Sequence, residues 1–596
     1  MRAPLSPSRI TAALTGAGAL VGTVALILAT SACGSRVPDT KPTDLSPTTE
    51  PTETYTGTPW FRDVTGASGV RATCRNGEEA DQFTILESLG TGVALFDFDG
   101  DGRLDIFVVG GGYFDGPTKT DLKGHPCKLY RNLGNMKFED VTSAAGLAGD
   151  WWYTHGVAVA DYDRDGFPDF VVTGYGRIGL FHNEPNDRGG RRFVDVSEKL
   201  GLRDSLWGTS AAWGDLDGDG YPELYVCHYT DWSFTNNPIC KGTSASVPRD
   251  VCVPQRFKPL VHSLFKNDRG QKFRDTASEQ HFKPDGYGLG VVIADLNADG
   301  RPDVYVANDA ARNFLLFNRG GALEEKGVAS GTAVDDGGQF NGSMGVDVVD
   351  YDGSGRAALW VTNYQGELHA LYHNLGAEMF DHRSRLLGVG SIGVHRVGFG
   401  TAFTDLDHDG WEDVVVANGH VLRNPAGSSP KQQPVLFHNT DKEGRRFFRD
   451  ISNRGGPYFQ AQNMARGLAL GDLDNDGHPD LVVTQNNGPV VILRNEAPGP
   501  HPWVGIKLVG KGNRDTVGST VTVELDGRKL TRFAKGGGSY LSANDPRLHF
   551  GLGGAKLKRV TVRWSWGESQ SWENIDAGAY WELTEGQPTA KRLPAS

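Results

Sequence analysis

Carboxylates at fixed spacing are the residues of this chain best suited to chemistry, and the chemistry they suit is the binding of a hard cation. The pattern D-x-[D/N]-x-[D/S]-G recurs seven times, starting at Asp97, Asp161, Asp215, Asp295, Asp350, Asp405 and Asp472, each time after a short apolar stretch. A glycine turn folds such a loop back so that the side chains at positions 1, 3 and 5 converge. Calcium needs a cage of this kind, since it takes roughly six to eight oxygens at about 2.3–2.6 Å. One copy would mean little, because Asp-Gly pairs also make ordinary turns. Seven copies in register, most with an acid at position 9, are not explained by turns alone.

The first loop supplies Asp97, Asp99, Asp101 and Asp105 at positions 1, 3, 5 and 9, with Arg103 offering its carbonyl at position 7. The second (Asp161, Asp163, Asp165, Asp169), the sixth (Asp405, Asp407, Asp409, Asp413) and the seventh (Asp472, Asp474, Asp476, Asp480) are complete. The third ends in Glu223 behind Asp215, Asp217 and Asp219, and the fourth places Asn297 among Asp295, Asp299 and Asp303. The fifth keeps Asp350 and Asp352, but Ser354 replaces its third acid and Ala358 stands at position 9, so a weak or empty loop is expected there. The expectation is therefore about six Ca2+ sites. An EF-hand starts alike but needs a glutamate at position 12 and flanking helices. Position 12 is Val108 in the first copy and Val172 in the second, within β-branched and aromatic runs that read as strand.

The loops must therefore join strands of hairpins. Copies start about 54 to 80 residues apart, in or above the range of propeller blades with insertions. An aromatic-x-Asn hairpin follows most loops (Tyr130-Arg-Asn132, Phe181-His-Asn183, Phe265-Lys-Asn267, Tyr372-His-Asn374, Phe437-His-Asn439), and often an F-x-D strand after it (Phe138, Phe193, Phe273, Phe448). F-x-D appears first at Phe61, before any loop, and is missing after Asn495, so the N-terminal strand can complete the last unit and remove an open edge. The expected fold is all-β: a seven-bladed β-propeller over 59–498, then a small β-sandwich over 499–587 and a tail over 588–596.

These residues carry a resemblance. With Val304-Tyr-Val-Ala-Asn308-Asp309, Met344-Gly-Val-Asp347, Ala417-Asn-Gly-His420 and Asn486-Asn-Gly-Pro489, and with Asn513-Arg-Asp515, Gly537-Gly-Ser-Tyr540-Leu541 and Asp545-Pro-Arg-Leu-His-Phe-Gly-Leu552 near the C-terminus, the chain resembles the cartilage acidic protein/UnbV family. Its members join FG-GAP (VCBS-type) repeats to an ASPIC/UnbV domain. The resemblance implies an integrin-α-like propeller with calcium in its loops, and implies no activity.

Residues 1–32 read as an export signal: Arg2 and Arg9, an uncharged apolar run, then small residues before Cys33. That junction is lipobox-like, with Thr30 where leucine is usual, so acylation of Cys33 and membrane attachment at the cell surface are expected. An uncleaved anchor and plain secretion are the alternatives. Residues 33–58 form a Thr/Pro/Ser-rich tether. Formal charge is -13, and removing Arg2 and Arg9 with no acid takes it to -15. An acidic chain without a basic stripe is not built to neutralise phosphates, so no nucleic-acid partner is expected. Cys240 and Cys252 flank an insertion and are the disulfide candidates. Cys74 with Cys127 is a second possible pair, and Cys227 reads as a buried thiol.

No H-E-x-x-H, G-x-S-x-G or phosphate-loop motif is present. Gly388-x-Gly390-x-x-Gly393 lacks a strand–turn–helix context and reads as a turn, while His155 and His420 read as structural. The expected function is a calcium-binding, surface-tethered binding, adhesion or scaffold module, monomeric, for a protein or glycan ligand. Recognition is expected at the insertion 230–259; its aromatics Tyr229, Trp232, Phe234 and Phe257 have two readings, contact with a sugar or protein ligand and, with at least equal weight, burial under the disulfide loop. The alternative is an extracytoplasmic enzyme or accessory factor acting on a polysaccharide or secondary metabolite.

Overall fold

Short apolar runs separated by glycine-bearing loops can bury both faces only by stacking sheet on sheet, and the chain does so. The structure, a computed structural model, describes residues 55–594 except 245, 391–393 and 500; the export signal, Cys33, most of the tether and Gly393 lie outside the described residues. Seven antiparallel sheets follow one another in chain order, six of four strands and the fourth of five because Gly536–Gly537 joins it. The first uses Val93–Phe96, Asp105–Val108, Lys128–Asn132 and Phe138–Asp140; the sixth uses Gly398–Thr404, Asp413–Asn418, Val435–Lys442 and Arg445–Asp450. In the seventh, Ala465–Gly471, Asp480–Gln485 and Val491–Asn495 are joined by the N-terminal Phe61–Asp63, with Phe61 opposite Asn495. The first strands of successive sheets lie side by side, and Ala465–Gly471 lies against Val93–Phe96.

Register is common to all seven. Each acidic loop joins the first two strands, and the residue before position 1 faces position 9: Phe96 with Asp105, Ala160 with Asp169, Gly214 with Glu223, and so on to Gly471 with Asp480. The asparagine of each third strand is buried and reaches into the preceding sheet. Its Nδ2 donates to the carbonyl at position 2 of that sheet's loop: Asn183 to Phe98, Asn267 to Tyr162, Asn318 to Leu216, Asn374 to Leu296, Asn439 to Tyr351, Asn495 to Leu406 and Asn132 to Leu473, at 2.8–3.1 Å. Sheets are thus tied to one another as well as packed. Asn132→Ala leaves two buried carbonyls, Leu104 and Leu473, without their donor. A cost of about 2 kcal/mol or more is expected, measurable by denaturant unfolding; a change under ~0.5 kcal/mol would show that water replaces the tie.

Beyond Asn495, two four-stranded sheets share one apolar core that includes Val504, Ile506, Val521, Val523, Phe550, Val560, Val562 and Leu583. One correction concerns the expected tail: Lys591–Arg592 pairs with Trp581–Glu582 as an edge strand, and Leu593 N–H donates to the Tyr580 carbonyl. Polar alternation hid so short a strand.

The second domain also enters the first. Residues 536–544 run along the first strands of the repeat sheets. Gly536 and Gly537 pair with Ile293 and Val292, Ser539 with Val346, and Ala543 with Ala94. Ser539 Oγ accepts from Thr401 N–H (3.1 Å) and donates to the Leu468 carbonyl (2.7 Å), and the Leu541 carbonyl accepts from Val157 N–H (3.0 Å). Ahead of it, Tyr540 meets a buried cluster formed by Trp207, Tyr229, Trp232, Phe257, Tyr287 and Phe399. Of the two readings of the insertion's aromatics, burial is the one found: Tyr229, Trp232 and Phe257 are 2 %, 2 % and 5 % exposed and pack in this cluster instead of facing a ligand. The insertion is stapled by Cys240–Cys252. Cys74 and Cys127 are unpaired thiols, as is Cys227, and all three are buried. Burial raises the Cys74 thiol to about 11 and the Cys127 thiol to about 12, so neither presents a thiolate to an oxidant. Among the described residues no helix is long and apolar enough to cross a membrane.

Candidate metal centre

Each loop is shaped by its own backbone donors. The position-1 carboxylate accepts the N–H of the position-6 glycine: Gly102 to Asp97 (2.8 Å), Gly166 to Asp161 (2.9 Å), Gly300 to Asp295 (2.8 Å), Gly410 to Asp405 (2.8 Å) and Gly477 to Asp472 (2.7 Å). That glycine has positive φ in every copy, from 75° at Gly355 to 94° at Gly410, a conformation other residues enter only with strain. Position 9 opens the second strand and is buried; its two oxygens accept the N–H of position 2 and of the third-strand asparagine. At Asp480 the donors are Leu473 (2.9 Å) and Asn495 (2.8 Å), and at Asp105 they are Phe98 (3.0 Å) and Asn132 (2.8 Å).

The predicted ligands therefore meet. Oxygens of Asp97, Asp99 and Asp101 lie within 4.8 Å of one another, as do those of Asp161, Asp163 and Asp165 and those of Asp215, Asp217 and Glu223. The fit to a cation rests on atoms left without donors. Among the described residues, Asp99 Oδ1 and Asp405 Oδ1 are buried and have no hydrogen-bond partner, and an acceptor-only group in that state needs a positive charge. In the fifth loop Asp350 Oδ1 is in the same state, but no carboxylate stands at position 9.

Electrostatics agree. Burial and then neighbouring charge push Asp161 and Asp215 up to about 7; burial, with Asp476 adding to it, does the same for Asp472 despite Arg547. Crowded carboxylates in a desolvated loop are unstable as anions unless a cation or a proton joins them. Basic side chains supply some of that charge: Arg131 Nε lies 2.7 Å from Asp99, Arg494 Nε 2.8 Å from Asp474, and Lys266 pairs with Asp217.

The two-domain pattern has known relatives. The "ASPIC and UnbV" family model matches residues 509–590, and the "FG-GAP-like repeat" model matches 97–172, 161–226, 295–361 and 405–483. The chain therefore carries an ASPIC/UnbV-type domain and FG-GAP-like repeats. It is similar to cartilage acidic protein 1 of Homo sapiens, 25% identical over 504 residues that span 71% of this chain and 70% of that one. It is also similar to integrin alpha-6 of Gallus gallus, 27% identical over 210 residues, 34% of this chain and 19% of that one. Among solved structures, the extracellular domain of a putative hybrid two component system from B. thetaiotaomicron aligns over 88% of this chain and 57% of that one at 9% identity. Its TM-score of 0.37 is too low to argue from.

The ASPIC/UnbV domain sits on the loop face of the repeats, which sequence reasoning missed. Arg563 Nη2 lies 2.6 Å from Asp295 Oδ2, Tyr580 Oη donates to Asp472 Oδ2 (2.8 Å), and Arg547 Nη2 donates to the Asp472 carbonyl (3.0 Å). Asp515 Oδ2 accepts from Asp215 N–H (2.8 Å), and Trp566 Nε1 donates to the Asp215 carbonyl (2.8 Å). Nothing in the spacing of a separate domain announces such contacts. The middle residue of the aromatic-x-Asn motif was also overlooked, although its repetition was in plain view: Arg131, Lys266 and Arg494 all pair with position-3 carboxylates. His155 and His420 are structural groups: His155 Nδ1 is 2.9 Å from the Gly90 carbonyl, and His420 Nδ1 accepts from Leu422 N–H (2.9 Å).

Proposed function

We propose that this chain is an exported, calcium-stabilised β-propeller that serves as a surface-held binding or scaffold module. The observation that carries this reading is the repeated loop geometry: converging carboxylates, a shared register and buried oxygens with no donor. The seven sheets are its blades, and the neighbouring first strands and the Phe61–Asn495 pairing support closure. About six loops hold divalent ions and the fifth is weak or empty. Likeness to cartilage acidic protein 1 and to an integrin α chain supports an extracellular binding role, and a structural disulfide suits an oxidising compartment.

With the enclosed space filled by side chains, recognition falls to the rim. The stapled insertion exposes Ile239 (76 %) and Val253 (55 %) beside its disulfide, an apolar tip suited to a protein ligand. Metal analysis of the purified chain tests the reading, with about six ions per molecule expected; fewer than about two would sink it. Attachment is tested separately. Cys33→Ser should move the protein from the membrane to the soluble fraction, and unchanged partition would rule out a lipid on Cys33.

A further inference from the structure

The middle residue of the aromatic-x-Asn motif stands over each loop, and it differs between copies in a way that bears on which ion is held. Arginine and lysine form ion pairs with the loop carboxylates in copies one, three and seven. Histidine takes the position in copies two, five and six. His182 Nδ1 is hydrogen-bonded to Asp169 Oδ1 at 3.1 Å, and His373 Nδ1 to Tyr351 Oη at 3.0 Å. His438 has no such partner. Its Nε2 lies 3.4 Å from Asp407 Oδ2, 3.8 Å from Asp409 Oδ2 and 3.9 Å from Asp413 Oδ1, and it makes no hydrogen bond among the described residues.

A second atom points into the same loop. Asp405 is fully buried, and its Oδ2 accepts the Gly410 N–H. Its Oδ1 has no hydrogen-bond donor; the charges acting on this carboxyl are those of Asp409 and Asp407, opposed by Arg532. Asp407, Asp413 and His438 each offer one ligand atom within 4.8 Å of one another, and in the same loop His438 Nε2 and Asp405 Oδ1 are buried with no hydrogen-bond partner.

We propose that loop six is a mixed carboxylate–imidazole site that takes a divalent first-row transition ion of the zinc or manganese kind in place of calcium. Calcium selects hard oxygen ligands. An imidazole nitrogen in the shell favours zinc, iron, copper or nickel, and carboxylates accept manganese. Distance does not separate the two kinds of ion, since His438 Nε2 at 3.4–3.9 Å from three carboxylates suits either; the imidazole donor does. The proposal rests on the reading of the loops as cation cages and changes the identity of one ion.

The test uses the full chain, stripped with chelator, returned to millimolar calcium and titrated with Co2+ as the probe. One equivalent of cobalt should bind against the calcium, with visible d–d bands and imidazole scattering at the cobalt absorption edge. His438→Gln should weaken that equivalent at least tenfold while leaving the calcium-dependent melting temperature in place. Full displacement of cobalt by calcium, an oxygen-only shell in the unmutated chain, or unchanged cobalt affinity in His438→Gln would overturn it. Calcium binding without cobalt binding defeats this proposal alone, whereas binding of neither ion defeats the parent reading as well.

Discussion

Chelating calcium is expected to lower the melting temperature of this chain by roughly 3–8 °C, and restoring a few millimolar calcium to return it. The estimate follows from mass action. An ion that binds only the folded chain stabilises it by RT ln(1 + [L]/Kd) per site, and extracellular calcium sites lie near 10⁻⁴–10⁻³ M, so the five loops left to calcium contribute roughly 3–9 kcal/mol at about 2 mM calcium. Unfolding entropy grows with chain length, which keeps the shift modest for a chain of this size. Asp99→Ala should remove part of the shift, because it deletes an oxygen that has no other partner. Asp352→Ala should remove little, since its loop has no carboxylate at positions 5 or 9. Equal losses would mean that the fifth loop also holds an ion.

The same loops predict a reversal with pH. In the absence of metal, burial raises Asp161, Asp215 and Asp472 to about 7, above their unfolded values. The folded chain then binds more protons than the unfolded one, so these groups favour folding in acid, and the benefit is lost as pH climbs from about 4 to about 7. Calcium holds the same carboxylates ionised, and protons then compete with the metal. Chelated protein should melt higher at pH 5 than at pH 7.5, and calcium-loaded protein the reverse. Thermal scans at both pH values decide the matter; parallel trends with and without calcium would show that the loops do not titrate as a unit.

The second large effect lies far from the loops. Gly536→Ala is expected to prevent stable folding, because a Cβ there would overlap the backbone carbonyl of Trp213, and backbone cannot swing aside. Ending the chain at residue 498 should have a similar outcome. The segment 536–544 satisfies N–H groups of Val93, Leu95, Val157, Val346, Thr401 and Leu470, which lie in the first strands of the repeat sheets. Each buried donor left unpaired costs about 1–3 kcal/mol, and even with water entering, the sum approaches the roughly 5–15 kcal/mol that holds a typical fold. Limited proteolysis and near-ultraviolet circular dichroism of both variants measure this. A truncated chain as resistant as the full one would show that the ASPIC/UnbV domain merely rests on the repeats.

Residues 97–105 and their six counterparts were legible because an acidic hairpin loop is a local object. Its turn glycine, its Asx-type backbone bonds and its strand register all lie within nine positions, so spacing alone places the carboxylates together. The aromatic-x-Asn and F-x-D repeats, and Phe61 as partner of Asn495, were legible for a related reason: a side-chain period of two in a repeated hairpin leaves one register. What the tertiary structure alone decided joins residues far apart in the chain. Gly536 against Trp213, Arg563 against Asp295, and Tyr540 against Phe399 are contacts between segments with no common local pattern. Three histidines in one motif position look alike in sequence, and only packing shows that two find hydrogen-bond partners while His438 faces carboxylates with none. Spacing determines which groups can meet within a turn; three-dimensional packing decides which of them are left needing a charge.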